Sequence, residues 1–259
     1  MVRLRALWRY RELLYSLVAR DLQVRYKSSV LGFLWCLINP LLMMAVFTLV
    51  FTILMGNRSI ENFPLFVLIG VLAWNLNATA VMGALGSVVN NANLVMKVNF
   101  PRELLPLSAV LSNTVNLLFS LVALLAMMTV FRVGLTPWVL LFPVVLLGQV
   151  CFMSGLGLAL SAIQVYFRDT GIIMETLLLA WFFLTPVFYR MEDLFPAYAR
   201  WMYWLNPMAS YISSYRLIFY SGGDLGLDFL LRSLVTSLVV LLVGYLVFVR
   251  LSKGFGEVL

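Results

Sequence analysis

Histidine is absent from this chain of 259 residues, and cysteine occurs only as Cys36 and Cys151. Without histidine, the chain lacks the commonest general base and the commonest metal ligand. Both cysteines lie within apolar stretches, so we expect no disulfide framework. The phosphate-binding pattern G-x-x-x-x-G-K-[ST] does not occur, nor do G-x-G-x-x-G, C-x-x-C or H-E-x-x-H. We therefore expect no catalytic group, metal site or cofactor on this chain.

Charged residues are also scarce, at 11% of the chain against about 25% in soluble domains. Apolar residues make up 63%, and a soluble domain of this length could not bury that much apolar surface. The net charge of +7 does not indicate nucleic-acid binding, because the arginines flank apolar stretches and form no single patch. We predict an all-α integral membrane protein with a single transmembrane domain over residues 1–259.

Six stretches have, or nearly have, the ~20 residues that a spanning helix needs. We predict transmembrane helices at 31–54, 63–89, 104–131, 138–167, 170–188 and 229–249. The fifth contains one charge, Glu175, which we interpret as part of its first turns, where the helix dipole favours a carboxylate. No ladder of carboxylates runs through the spans, which disfavours a proton pump.

Lysine and arginine indicate the orientation, because cytoplasmic loops are enriched in them. With both termini in the cytoplasm, twelve of the 18 basic residues lie inside and six outside. Four of those six belong to the long segment between the fifth and sixth spans. We predict a multi-pass protein of the bacterial inner membrane with cytoplasmic N- and C-termini.

Residues 1–28 are predicted to form an amphipathic helix on the cytoplasmic leaflet. One helical face carries Arg5, Arg9, Glu12, Ser16, Arg20, Gln23 and Lys27. Three charged residues, Arg11, Asp21 and Arg25, fall on the otherwise apolar side, and the spacing of Asp21 and Arg25 predicts an ion pair. The segment is either a surface anchor or a place where basic groups meet a lipid phosphate.

The segment 190–220 is rich in tryptophan and tyrosine, which favour the membrane–water interface. Pro196 and Pro207 divide it, and its charges make a continuous span implausible. We predict two short helices that dip into the outer leaflet without crossing it. They form either an ordinary aromatic belt or an extracellular gate.

The connection between the second and third spans, near residues 93–105, is too apolar for an idle surface loop. Met96, Val98 and Phe100 would be exposed there unless they meet a partner. Aromatic rings of the spans, such as Trp74, face lipid or neighbouring helices, or else line a path for sugars, whose C–H faces are apolar.

Several blocks of the chain, taken in order, resemble the membrane subunits of type-2 ABC polysaccharide exporters, the permeases for O-antigen, capsule and wall teichoic acid. The blocks are RDLQVRYK at 20–27, VLGFLW at 30–35, NPL at 39–41, VNFPRE at 98–103, YFRD at 166–169 and LNPM at 205–208. The likeness runs from about residue 20 to the C-terminus, and its first block is the most specific.

The resemblance implies a homodimer that rests on two separate ATP-binding subunits, which carry ATP and Mg²⁺. Residues 93–103 would be the coupling helix that contacts those subunits, with the motif Val98, Asn99, Phe100, Pro101, Arg102 and Glu103. Segment 190–220 would form periplasmic gate helices, with Trp201, Trp204, Asn206, Pro207, Tyr211 and Tyr215.

The resemblance also implies a channel at the dimer interface and a place where the substrate lipid enters it. The lipid pyrophosphate would be held near Arg25, Lys27, Leu31 and Gly32 through charge-assisted hydrogen bonds. An aromatic lining around the glycan would consist of Phe33, Trp35, Phe47, Phe51, Trp181, Phe182 and Phe183.

We therefore expect the permease subunit of an ATP-driven exporter of undecaprenyl-pyrophosphate-linked polysaccharide, with O-antigen favoured over teichoic acid or capsule. The nearest alternative is a type-2 ABC exporter of drugs or small lipids. An alternative of another class is a stand-alone channel or ion-coupled carrier. A lipid-modifying membrane enzyme is disfavoured, because no nucleophile–base pair is visible.

Overall fold

Every regular element in the described part of the chain is a helix, which confirms the all-α prediction. The structure is a computed structural model, and it describes residues 9–27, 31–56, 59–194, 196, 199–222 and 227–258. Arg5 and the rest of residues 1–8 of the predicted N-terminal helix lie outside the described residues, as does residue 28.

Twelve α-helices follow one another along the described residues. They are α1 (Arg11–Tyr26), α2 (Trp35–Thr48), α3 (Phe63–Asn90), α4 (Ala92–Lys97), α5 (Leu104–Val130), α6 (Phe142–Tyr166), α7 (Thr170–Leu184), α8 (Met191–Leu194), α9 (Ala199–Leu205), α10 (Pro207–Arg216), α11 (Leu227–Leu251) and α12 (Phe255–Val258). Short 3₁₀ turns extend α2 and α6 at their N-termini, and π-helical turns follow α2 and α10.

Five helical stretches are long and apolar enough to cross a membrane: Gly32–Leu54, Phe63–Asn90, Leu104–Val130, Pro137–Tyr166 and Phe229–Gly254. Each overlaps a predicted span, with ends that differ by only a few residues except at the C-terminus of the last one. The length of the uncharged apolar stretches and the charges that flank them are the local signals that predict these spans.

The fifth predicted span is shorter than expected. Helix α7 has 15 residues, or about 22 Å, against a hydrocarbon thickness of about 30 Å. It ends at Leu184 because Pro186 disfavours the helical conformation for the residue before it, and Thr185 is extended. Glu175 is an exposed residue in the second turn of α7. Six complete spans therefore remain a prediction.

Helix α2 contains a proline, which removes one hydrogen bond from the helix. The neighbouring helix α5 supplies a replacement. Pro40 has no N–H, so the carbonyl of Cys36, four residues earlier, loses its helical donor. The Ser120 hydroxyl donates to that carbonyl at 2.8 Å. This bond fixes α2 against α5 at a point where an unpaired carbonyl in hydrocarbon would cost several kcal/mol.

Helix α3 is the centre of the bundle. In its most apolar stretch 78% of the residues are buried, against 6% for the first span and 17% for the last. It packs against α2, α5, α6, α7 and α10. The first and last spans therefore leave long apolar faces open to lipid or to another chain.

Glycine allows α6 and α11 to touch along their backbones. A Cβ atom at Gly155 would lie 2.4 Å from the Val240 carbonyl oxygen, and one at Gly244 would lie 1.9 Å from the Gly155 oxygen. Small residues of this kind are the usual contact points between helices in membranes.

An apolar cluster joins the helices at the end of the bundle that lies beside α1. We call this end of the bundle the α1 end. The members of the cluster come from α1, α3, α4, α5, α6, α11 and α12, and they include Leu17, Val88, Val95, Phe100, Leu104, Leu105, Phe248 and Phe255. We call it the α1-end cluster. Helix α1 is thus packed onto the protein through Leu17.

Replacing Gly244 by leucine should destabilise the protein by more than the ~1–3 kcal/mol typical of overpacking, because the backbone of α6 cannot move aside as a side chain can. The measurement is the thermal unfolding midpoint of the detergent-solubilised protein. Gly134→Leu is the control, since a Cβ there meets nothing within 4 Å. Equal midpoints for the two variants would contradict the proposed contact.

Candidate functional site: a polar cleft beside the N-terminal helix

A cleft of about 520 Å³ opens at the α1 end between α1, α3 and α5. Its polar lining includes Arg20, Asp21, Arg25, Asn90, Asn91, Ser112 and Asn113. A volume of this size falls within the ~300–1,000 Å³ range of ligand sites. The cleft therefore brings positive charge and hydrogen-bonding groups together next to helices that are otherwise apolar.

Arg20 is held by groups on both sides of the cleft. Its guanidinium lies 3.0 Å from the Asp21 carboxylate and donates to the Asn91 side-chain oxygen at 3.1 Å. Asn91 in turn donates to the Ser87 carbonyl at 2.8 Å. The predicted Asp21–Arg25 pair is therefore wrong, because Asp21 contacts its neighbour Arg20 instead.

Arg25 reaches across to α5, where it donates to the Asn113 side-chain oxygen at 3.0 Å. Asn113 is fixed by its own bond to the Ala109 carbonyl at 2.8 Å. Among the described residues Arg25 makes no ion pair, so no carboxylate neutralises its charge. The guanidinium is thus positioned by a neutral amide at the wall of the cleft.

Tyr26 supplies a second tie between α1 and α5, since its hydroxyl donates to the Asn116 side chain. Burial raises the pKa of this phenol above its ordinary value, which keeps the hydroxyl protonated and able to donate. Asn113 and Asn116 are three residues apart, so both face α1.

The other predicted lipid-site residues lie on the turn between α1 and α2. Lys27 is exposed, Leu31 is 40% exposed, and Gly32 has a φ of 48° in the left-handed region that favours glycine. Of the four, only Arg25 lines the cleft. Arg20 and the amides of α3 and α5 were not predicted as a site from the sequence. Their signal was polar residues at helical spacing inside apolar spans.

The predicted aromatic lining falls into two groups. Phe33 packs at the α1 end against Phe119, with ring centroids 4.6 Å apart, and Trp35 is 44% exposed nearby in sequence. The other group surrounds Phe188, which stacks on Phe51 at 4.8 Å and on Phe47 at 5.6 Å. Phe182 and Phe183 also contact Phe188. The rings therefore form two separate clusters.

Trp181 lies in neither of these two clusters. Its indole N–H donates to Asn206 at 2.8 Å, and this bond fixes the orientation of the ring. The same Asn206 oxygen accepts the N–H groups of Met208 and Ala209 and so caps α10. Its nitrogen donates to the Thr185 hydroxyl at 2.9 Å. Asn206 thus joins the start of α10 to the end of α7.

The predicted gate residues divide into exposed and buried members. Trp201 and Trp204 are 69% and 61% exposed, whereas Tyr211 and Tyr215 are 1% and 3% exposed. Pro207 opens α10 at its first position, which its fixed φ suits. Helix α10 is therefore inserted among the spans, and α9 presents its tryptophans outward.

Hydrogen bonds to neighbouring spans hold the two buried tyrosines of α10. The Tyr215 hydroxyl donates to Gln149 of α6 at 2.8 Å, and Gln149 donates to the Ala73 carbonyl of α3 at 2.9 Å. Tyr211 is bonded to Ser237 of α11. These bonds anchor α10 to three spans, which makes the tyrosines positioning residues.

The predicted coupling segment is a short helix followed by a turn. Helix α4 ends at Lys97, Val98 is extended, and residues 99–103 form the turn into α5. Met96 and Val98 are 55% and 50% exposed, and Asn99 is also exposed. The expectation that Phe100 would be exposed is wrong, because it is 7% exposed in the α1-end cluster.

The rest of the turn is fixed to the C-terminal part of the chain. Arg102 donates to the Ser252 carbonyl at 2.6 Å and lies over the Phe255 ring. Glu103 is buried at the start of α5, and Pro101 is half-buried. The exposed side chains of Met96 and Val98, called the apolar tip below, thus adjoin a turn that is fixed to the rest of the protein.

Asn206→Ala should lower the unfolding midpoint by about 5 °C or more, because it removes a helix cap and leaves a buried indole N–H without its acceptor. The measurement is thermal unfolding in detergent. Asn93→Ala, at an exposed position on α4, is the control. A midpoint for Asn206→Ala equal to that of the control would contradict the role assigned to Asn206.

Comparison with known proteins identifies relatives over nearly the whole chain. The sequence pattern of the family described as "ABC-2 type transporter" matches residues 12–220. The chain is 40% identical over 259 residues to the O-antigen export system permease protein RfbA of Myxococcus xanthus, covering 99% of each chain.

Two further relatives carry related names. An O-antigen export system permease protein RfbA of Klebsiella pneumoniae is 32% identical over 251 residues, covering 96% of this chain and 95% of the relative. The capsule polysaccharide export inner-membrane protein CtrC of Neisseria meningitidis is 26% identical over 249 residues, covering 92% and 91%.

Proposed function

This chain belongs to the ABC-2 type transporter family, and from that premise we propose that it is the permease subunit of an ATP-driven polysaccharide exporter. Its substrate is a polysaccharide linked through a pyrophosphate to a polyprenyl lipid, with O-antigen favoured over capsule. The higher identity to permeases named for O-antigen export, 40% and 32% against 26% for the capsule protein, supports that order.

The arginine cleft is the observation that carries the proposal. Arg20, Arg25 and the Asp21 carboxylate that pairs with Arg20 line it together with amides and hydroxyls, and guanidinium groups bind phosphate oxygens in paired hydrogen bonds. The uncompensated charge of Arg25 favours an anion. We propose that the lipid pyrophosphate binds here, with Lys27 and the Leu31–Gly32 turn beside it.

The apolar tip of the coupling turn supports a soluble partner at the α1 end. Exposed Met96 and Val98 would be costly in water without a covering surface. We propose that two ATP-binding subunits cover this tip, that they supply ATP and Mg²⁺, and that the α1 end faces the cytoplasm. The distribution of basic residues predicts the same orientation.

The open faces of α2 and α7 support a homodimer. In α7, Ile172, Leu179 and Phe183 are 71%, 61% and 58% exposed, and the first span is the least buried. We propose that a second copy faces these helices and that the two copies enclose a path for the glycan. The aromatic cluster around Phe188 then lies near one end of that path, and Phe33 and Trp35 lie near the other.

Transport then proceeds through movement of the coupling turn. ATP binding draws the two ATP-binding subunits together, and the tip moves with them. Because Phe100 is packed in the α1-end cluster, the movement reaches α1 and α5, which form two walls of the cleft. The chain itself contributes binding groups and a moving wall, while the ATP chemistry belongs to the partner.

Reconstitution of this chain in vesicles with its ATP-binding subunit tests the function. Lipid-linked polysaccharide on the outside of inside-out vesicles should enter the lumen only with ATP and both subunits present. Polymer transport by this chain alone would refute the mechanism, and gated ion conductance would favour a stand-alone channel or carrier. ATPase stimulation by drugs or small lipids, but not by lipid-linked glycan, would favour the drug-exporter alternative.

A double substitution, Met96→Ser with Val98→Ser, should weaken binding of the ATP-binding subunit about thirtyfold. The reason is the loss of two half-buried apolar contacts, worth about 1 kcal/mol each. Co-purification at graded concentrations measures the affinity. The matched control is Leu140→Ser, at a position 82% exposed in the 3₁₀ turn that precedes α6. Wild-type affinity in the double variant would place the partner elsewhere.

Arg25→Gln should raise the concentration of lipid-linked substrate that half-maximally stimulates ATPase activity by about tenfold, because it removes a charge-assisted hydrogen bond of about 1.5–3 kcal/mol. Arg25→Lys should retain part of the affinity as a point charge. Arg132→Gln, outside the cleft, is the control. Unchanged half-maximal concentrations in Arg25→Gln would remove Arg25 from the proposed site.

A further inference from the structure

A narrower cavity of about 130 Å³ continues from the cleft between α2, α3 and α5. Asn113 lines both cavities and marks their junction. The polar side chains around the narrower cavity are Asn39, Asn75, Thr79, Asn113, Asn116 and Ser120. We call this cavity the amide groove.

The amide groove lies deep in the predicted membrane. Thr79 and Asn75 precede the last residue of α3, Asn90, by 11 and 15 positions, which is about 17 and 22 Å along the helix. Half of a 30 Å hydrocarbon core is about 15 Å. Amides at that depth are costly against lipid, so this surface faces a polar content and not acyl chains.

Two amides of the groove have unused hydrogen-bonding capacity. Among the described residues, no partner is bonded to the side chains of Asn39 or Asn75, and each amide offers two donors and an acceptor with two lone pairs. Asn39 is exposed and Asn75 is half-buried, so both are open to whatever occupies the groove. By contrast, Asn116 already accepts the Tyr26 hydroxyl.

The lining favours a neutral occupant over an ion. None of its residues is charged, whereas the adjoining cleft contains two arginines. The groove also includes Trp35, whose ring is 44% exposed. Amides that bond hydroxyls, beside an aromatic face that packs on C–H groups, are a combination suited to a neutral sugar ring.

We propose that the amide groove is a sugar subsite, which binds neutral sugar residues next to the lipid pyrophosphate while the arginine cleft holds the phosphates. This inference rests on the proposed function and adds to it the residues that recognise the glycan. Asn39, Asn75 and Thr79 bond the sugar hydroxyls, and Trp35 covers one face of the ring. Each subunit thereby orients the first sugars before the chain enters the path between copies.

Cysteine labelling tests whether the groove is wet. In a background of Cys36→Ala and Cys151→Ala, Asn75→Cys and Thr79→Cys should react with a charged, water-soluble thiol reagent at least about tenfold faster than Val122→Cys, because only a hydrated thiol ionises readily. Val122 is 59% exposed on α5 outside the groove. Lipid-linked polysaccharide isolated from the cells of origin should slow the labelling of the groove cysteines.

Isosteric substitution tests recognition. Asn75→Leu with Thr79→Val should raise the half-maximal concentration of lipid-linked polysaccharide in the vesicle assay about tenfold, through the loss of hydrogen bonds to hydroxyls. Asn75→Gln with Thr79→Ser should restore most of the affinity. Val122→Leu is the control. The amount of folded subunit recovered after purification separates lost recognition from lost folding.

The two proposals fail in different ways. If the wild-type complex transports no polysaccharide with ATP, the proposed function is wrong and the sugar subsite falls with it. If wild type transports but the apolar double variant has wild-type affinity, only the subsite is wrong. Labelling of the groove cysteines as slow as Val122→Cys, or a disulfide between groove cysteines of two copies, also overturns the subsite.

Discussion

Because the hydrocarbon core of a bilayer contains no water, each polar group carried into it needs a partner within the protein or a wet cavity to face. This constraint explains the placement of many side chains here. Ser120 bonds the carbonyl that Pro40 leaves without a donor. Gln149 joins a carbonyl of α3 to a tyrosine of α10. Asn77 departs from the rule, since both its amide atoms are buried and unpartnered in the described part of the chain, and nothing in the structure explains it.

The same constraint divides the polar residues into two kinds. Asn206 uses its oxygen and nitrogen on α7 and α10, so it holds helices together and has no capacity left for a ligand. Asn39 and Asn75 are open to a cavity, and Arg25 carries a charge positioned by a neutral amide. A side chain such as Asn206, whose hydrogen bonds are all made within the protein, therefore holds helices together. Asn39, Asn75 and Arg25 remain open to a ligand.

The sequence predicted the spans well because apolar runs and flanking charges act locally. It placed the end of α7 four residues too late, although Pro186 is a local signal for Thr185 to leave the helix. What it could not supply was tertiary pairing. Phe100 looks exposed on a loop, yet it is covered by α1 and α11 residues distant in sequence. Arg20 and the amides of α3 and α5 line one cleft only because α1, α3 and α5 pack together.

The α1-end cluster also links the two surfaces on which the proposed mechanism depends. Phe100 stands behind the exposed tip at Val98, and Leu105 belongs both to this cluster and to the wall of the cleft. Close-packed interiors transmit displacement because their side chains cannot compress. In the proposed mechanism, a shift of the tip is therefore passed on at Phe100 and moves α5 relative to α1. The bonds from Arg25 to Asn113 and from Tyr26 to Asn116 cross that boundary. Under that proposal the cleft changes shape when the tip moves, with no separate signal through the bilayer.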